Sequence, residues 1–255
     1  MIEFKSISKS YGTLAAVKSI DLKIEKGELL VLLGESGCGK TTTLKMINLL
    51  IQPTSGQVFI DGVENTRIKP YLLRRKIGYC FQKIGLFPHM TVEENIAITL
   101  DLLEWDNQQK KSRVEELLNL VGLSPQELKG RFPQELSGGQ AQRVAVARAM
   151  AAKPNVILFD EPFGKLDPLN RNRIQNELKK IKKREPFTGV FVTHDMTEAL
   201  VLGDRIAVMK EGSIVQIGSP KEIYTNPAND YVANIIHTPK DQIKSLEKII
   251  GKENL

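Results

Sequence analysis

The segment Gly34-Glu35-Ser36-Gly37-Cys38-Gly39-Lys40-Thr41 sets glycines, a lysine and a hydroxyl in a Gly-x-x-x-x-Gly-Lys-Thr spacing. An apolar run over 29–33 precedes it and a helix-forming stretch over 42–50 follows, the strand-to-helix context that a phosphate-binding loop requires. Glycines 34, 37 and 39 carry no Cβ, so the backbone can reach positive φ and turn its N–H groups onto phosphate oxygens. The helix N-terminus adds donors and a favourable dipole. Lys40 would reach the β- and γ-phosphates, and the Thr41 hydroxyl would ligate Mg²⁺. An acidic pair, Asp160-Glu161, ends the apolar run 156–159. On a strand placed beside the phosphate loop, Asp160 would meet the Mg²⁺ shell and Glu161 an attacking water; the plainer reading is an acidic strand end facing solvent. His194 ends another apolar run, 189–193, where it could hydrogen-bond a γ-phosphate or serve only structure. Gln82 ends the β-like run 76–81 and could ligate Mg²⁺, orient a water or merely be solvated.

Ser137-Gly138-Gly139-Gln140 opens a further helix, with Val144, Ala147 and Ala151 on one side. Ser137 and Gln140 have capping-box spacing, which explains a helix start but not two glycines in its first turn. Each glycine costs up to about 1 kcal/mol against alanine. Bare backbone donors beside a serine hydroxyl make a second phosphate-binding helix end. Tyr11, after the first strand, could stack on an adenine face or be an aromatic turn residue. His89 and His237 have no companions and are assigned no role.

These groups must be held by strands over 2–8 and 16–25, a turn at Tyr11-Gly12, a break at 53–56, a strand at 57–60 and a turn at Asp61-Gly62. From 91 to 152 the period becomes helical: Thr91 caps a first helix, and Val114, Leu117, Leu118 and Val121 line a second that stops at Gly122. Asp167-Pro168 caps a helix with Ile174, Leu178 and Ile181 on one face, and strands 205–210 and 213–217 close the domain. With 41% apolar and 26% charged residues in 255, the chain is an ordinary globular one. No run approaches the ~18 apolar residues that span a bilayer, and residues 1–5 lack the regions of a signal peptide, so the cytoplasm is the expected compartment. The net charge of +6 is spread along the chain. Its densest cluster, Lys179-Lys180-Ile181-Lys182-Lys183-Arg184, ends a helix where cations complement the dipole, so no nucleic-acid partner is expected. Two cysteines, Cys38 and Cys80, are too few for a disulfide scaffold and fit a reducing compartment.

In this order the parts resemble the nucleotide-binding subunit of ATP-binding cassette (ABC) transporters, over about residues 1–235. On that resemblance Tyr11 is the adenine-stacking aromatic, and Gly34, Glu35, Ser36, Gly37, Cys38, Gly39, Lys40, Thr41 and Thr42 form the Walker A loop. Gln82 is the Q-loop glutamine, and Leu136-Ser137-Gly138-Gly139-Gln140 is the family signature. Residues 156–160 form Walker B, Glu161 is the catalytic base, 162–167 the D-loop and His194 the switch histidine. The implied fold is α/β, a P-loop NTPase: a RecA-like core with an antiparallel β-subdomain (1–90 and 153–235), an inserted helical subdomain (91–152) and a short tail (236–255) without CBS domains. The implied cofactors are ATP and Mg²⁺, with Thr41, Gln82 and Asp160 as metal ligands. The implied partners are a second copy, whose signature covers the nucleotide of the first, separate transmembrane permease subunits and, indirectly, a solute-binding protein. Such a subunit sits peripherally on the cytoplasmic face of the membrane. Ala141 and Lys165 depart from the family's usual residues and bear on the dimer contact.

The wording of 191–200 and 218–227 is most like importers of quaternary-amine osmoprotectants such as glycine betaine, choline and carnitine. Similar phrases occur in polyamine, amino-acid and sugar importers. Phe81, Leu86, Phe87 and Pro88 offer a patch for a permease coupling helix, or else a buried turn. The rival class is a soluble cassette ATPase acting on ribosomes or DNA. Its translation-type members carry tandem cassettes, and its repair-type members insert a long coiled coil where this chain has only about 120 residues separating Lys40 from Asp160. A nucleotide switch without turnover is discouraged by Glu161 and His194 together. Ile243, Leu246 and Ile250 would give the tail a short amphipathic helix.

Overall fold

The computed structural model describes residues 1–82, 84–164 and 168–236, without the side chains of 168–170. β1 (Ile2–Tyr11) and β2 (Leu14–Ile24) make a hairpin, and β3 (Leu29–Leu33) feeds the phosphate loop and α1 (Lys40–Ile47). β4 (Ser55–Ile60), β5 (Val63–Glu64), α2 (Pro70–Arg75) and β6 (Ile77–Cys80) follow. A helical segment holds α3 (Val92–Leu102), α4 (Asn107–Leu120), α5 (Pro125–Leu128) and α6 (Gly138–Met150). The chain then alternates through β7 (Val156–Asp160), α7 (Pro168–Arg184), β8 (Thr188–Thr193), α8 (Met196–Leu202) and β9 (Arg205–Lys210), and ends with β10 (Ser213–Gly218), α9 (Pro220–Thr225) and a helical turn over 230–236.

Two sheets result. One is antiparallel in the order β2-β1-β4-β5; the other runs β10-β9-β3-β8-β7-β6, parallel except for β10. A parallel sheet is covered on both faces, which is why 29–33, 156–159 and 189–193 read as unbroken apolar runs. Leu29, Val31, Leu33, Phe159 and Phe191 face the helical segment, whereas Leu30, Leu32, Leu158 and Val192 face α1 and the antiparallel sheet. The phosphate loop is thereby pinned at the C-terminal edge of a sheet with a core on each side. Buried Arg113 joins the helical segment to the sheet's far end: it pairs with Glu185 at 2.7 Å and donates to the carbonyls of Met150 and Ala151 at 3.0 and 3.2 Å.

Several local expectations shift. The first helix runs over 40–47, not 42–50, because the chain leaves the helix at Asn48 and Leu49 takes a φ of 56°. Tyr11 ends β1, opposite Leu14, so the turn falls at 12–13. α2 has the proline-first signature of a helix but was too short to show a period. β8 lies between β3 and β7 and ends at His194, while β7 brings Asp160 to the phosphate loop at Thr41. Thr91 and Ser137 both make complete capping boxes. Lys165, Asp167, His237, Ile243, Leu246 and Ile250 lie outside the described residues.

Candidate functional site

The phosphate loop is folded around two close approaches. Gly34 (φ 156°) would place a Cβ 2.3 Å from the Met209 carbonyl oxygen, and Gly39 (φ 103°) one 2.4 Å from that of Ala16. No other residue type fits either place without moving backbone. Lys40, 4% exposed, folds back over the loop, its Nζ donating to the carbonyls of Gly34 and Glu35 at 2.7 and 2.8 Å. Gly39 caps α1 with no side-chain hydrogen bond, so the first-turn amides meet no side-chain acceptor at the cap. Ser36, Gly37, Gly39, Lys40, Thr41 and Thr42 wall a cavity of about 220 Å³, closed on the opposite side by Gln82 and Glu161.

Thr41 Oγ1 donates to Asp160 Oδ1 at 2.7 Å, so hydroxyl and buried carboxylate meet despite the intervening strand. The Tyr79 hydroxyl donates to Asp160 Oδ2 at 3.1 Å, and Lys45 Nζ lies 3.9 Å from the same oxygen. Burial first, and then the Asp160 charge, push the Tyr79 hydroxyl upward, which keeps it a donor. Tyr79 was not read from the sequence. Strand alternation puts it on one face of β6, but only the pairing of β6 with β7 brings Asp160 to it. Among the described residues no group of three or more His, Cys, Asp or Glu side chains suits a metal. One hydroxyl and one carboxylate beside a phosphate cradle fit Mg²⁺, which binds through one or two carboxylates with substrate phosphates and water as its other ligands.

Glu161 follows β7 in the left-handed region, φ 45°, where its N–H donates to the Val192 carbonyl at 3.1 Å. Such strained non-glycine backbone gathers at functional sites. The turn aims Glu161 Oε2 at two of the sequence-selected residues: Gln82 Nε2 donates to it at 3.2 Å and His194 Nδ1 lies 3.3 Å away. Gln82, Glu161 and His194 therefore form one cluster across the mouth of the loop.

Ser137, Gly138, Gly139 and Gln140 do not line that cavity. Ser137 Oγ accepts from the Gln140 N–H at 3.2 Å, and Gln140 Oε1 accepts from the Ser137 N–H at 2.9 Å. A Cβ on Gly138 would meet nothing within 4 Å, so no packing among the described residues demands a glycine there. Ala141, one of the two departures, is buried in the body of α6. Tyr11 stands exposed at the β1–β2 hairpin, with Lys9 Nζ 5.0 Å from its ring centre, and it too lies outside the cavity wall.

Phe81 and Phe87 are 42% and 40% exposed, so these two are surface residues and not part of a buried turn. With Ile98, Leu102 and Arg148 they line a groove of about 420 Å³ between β6 and the helical segment. Arg148 donates to the Gly85 carbonyl at 2.8 Å, and burial lowers its pKa. Burial also holds the nearby Cys80 thiol protonated, pushed up to about 12.

A family model described as ABC transporter matches residues 17–164. The chain is 52% identical to the glycine betaine/carnitine/choline transport ATP-binding protein OpuCA of Bacillus subtilis, over 100% of this chain and 63% of that protein. It is 47% identical to the glycine betaine uptake system ATP-binding protein YehX of Escherichia coli, over 91% of this chain and 75% of that one. The chain thus spans 63% of the length of the first of these relatives. Among solved structures, a dimeric ATP-binding cassette in a post-hydrolysis state with ADP and phosphate superposes with a TM-score of 0.78 at 34% identity, covering 86% of this chain and 99% of that one. A Clostridium perfringens cassette from the CbiONQ transporter complex gives a TM-score of 0.81 at 28% identity, covering 97% and 98%.

Proposed function

The chain belongs to the ABC transporter ATP-binding family, and from that premise we propose that it is the ATP-hydrolysing subunit of an importer of quaternary-amine osmoprotectants. The observation that carries hydrolysis is the meeting of Gln82 and His194 on Glu161 Oε2, opposite the phosphate loop. Lys40, the loop amides and the α1 N-terminus hold the phosphates and their developing charge. Thr41, Asp160 and Gln82 would hold Mg²⁺, which would supply positive charge to offset the charge developing on the phosphates. Glu161 polarises the water, while Gln82 and His194 orient it and the γ-phosphate. Tyr11 stacks on the adenine.

The second half of the site comes from another copy of this chain. Its Ser137 hydroxyl and its Gly138 and Gly139 amides close over the nucleotide, with Gln140 holding the serine in place, which gives Gly138 the close approach that its own chain does not make. Residues 1–90 and 153–235 act as the nucleotide-binding core and 91–152 as the arm that carries this second jaw. The groove beside Phe81 and Phe87 receives a coupling helix from a separate permease on the cytoplasmic face of the membrane, and a solute-binding protein acts through that permease. The solute class is supported by what the relatives transport and not by any side chain of the site.

Glu161→Gln tests the mechanism. Steady-state hydrolysis by the purified protein should fall 10²- to 10⁴-fold while ATP still drives dimerisation. Near-normal turnover in that variant would remove Glu161 from the role. Uptake of labelled glycine betaine, choline and carnitine by cells carrying wild-type or Glu161→Gln protein tests the solute class, and no difference for all three would exclude it.

A further inference from the structure

His194 reaches Glu161 with a side chain that is 56% exposed, so solvent does not hold it in place. Its two neighbours in sequence are held firmly. Asp195 caps α8, its Oδ1 accepting from the N–H groups of Thr197 and Glu198 at 2.7 and 3.2 Å. The Asp195 N–H in turn donates to Thr193 Oγ1 at 3.0 Å, and Thr193 Oγ1 donates to Glu198 Oε2 at 2.6 Å. Glu198 is 3% exposed, and burial raises its pKa. One cation serves both carboxylates: Arg171 Nη1 donates to Asp195 Oδ2 at 2.8 Å, and Arg171 Nε lies 3.7 Å from Glu198 Oε1. Arg171 sits on α7, the next element after β7 in the chain.

We propose that Arg171 is a positioning residue for hydrolysis: it locks the 193–198 segment onto α7 and so sets the angle at which His194 meets Glu161. The two residues that must face each other are carried on separate strands, β7 and β8, and Arg171 ties the element after the first to the element after the second. A half-buried, charge-assisted pair of this kind is stronger and more directional than a surface ion pair. Arg171 acts here through Asp195 and Glu198, neither of which walls the cavity at the phosphate loop, so its effect should fall on the chemical step and spare ATP binding.

This inference rests on the role given to His194 above, and the test separates the two. Arg171→Met, Arg171→Lys and His194→Ala are made singly, and Arg171→Met is combined with His194→Ala. Turnover and binding of a fluorescent ATP analogue are then measured. The expected result is a loss of tenfold or more in kcat for Arg171→Met, with nucleotide Kd within about twofold, an intermediate loss for Arg171→Lys, and less than a further twofold loss when Arg171→Met is added to His194→Ala. Losses that multiply in the double variant, a Kd that weakens in step with kcat, or an unchanged kcat would each overturn it. Should Arg171→Met fail to fold, Asp195→Asn keeps the helix cap while removing the ion pair and must give the same pattern. His194→Ala that hydrolyses normally would overturn the role of His194, and this inference with it.

Discussion

Two helix N-termini in this chain carry glycines, and they are built in opposite ways. At α1 the glycines are dictated by the chain itself: a Cβ at Gly34 or Gly39 would run into the backbone of Met209 or Ala16, and the cap makes no side-chain hydrogen bond. At α6 the cap is complete, with Ser137 and Gln140 satisfying each other, yet Gly138 borders open space. The first end is a cradle finished by its own fold and open at its amides. The second is a finished helix that presents a bare patch of backbone on which no described residue packs at Gly138. That bare backbone is where the proposed second copy would come close.

That contrast can be broken or sharpened by substitution. Gly39→Ala should have the largest effect, because backbone strain and a clash with the Ala16 carbonyl act together. Nucleotide binding should be lost, and urea unfolding should show about 1–3 kcal/mol of destabilisation. Gly138→Ala should be the reverse kind of lesion: thermal unfolding unchanged or slightly raised, since alanine is the better helix former, with ATP-driven dimerisation and hydrolysis down tenfold or more by light scattering and phosphate release. Normal hydrolysis in Gly138→Ala would erase the contrast. Ser137→Ala should have the smallest effect on turnover, a several-fold loss at unchanged ATP affinity of the isolated subunit, while the lost cap costs about 1 kcal/mol by denaturant titration.

How much was legible in advance follows the range of the forces involved. The phosphate loop, the Thr91 cap, the Ser137 capping box and the apolar strands 29–33, 156–159 and 189–193 depend on residues within a few positions of one another, and each stood where its pattern put it. Tyr79 was missed because its partner Asp160 is 81 residues away. The insertion of β8 between β3 and β7 was missed for the same reason, since apolar runs say that a strand is buried but not which strand lies beside it. The positive φ of Glu161 had no local signal either, for glutamate is not a residue that favours it. Gln82, Glu161 and His194 were each legible as strand-end residues, but that they share one carboxylate oxygen was not.

The amino-acid order alone determined the chemistry on offer: a glycine loop ending in Lys40-Thr41, an Asp160-Glu161 pair, a lone His194 and a capped Ser137 helix, because spacing along the backbone decides which amides and side chains a short segment can present. Only the tertiary structure decided that Thr41 meets Asp160, that Glu161 turns toward Gln82 and His194, that Arg171 braces the histidine's neighbours and that Gly138 faces open space. Those are contacts between strands and helices distant in sequence, and packing of the two cores around one parallel sheet is what brings them within hydrogen-bonding range.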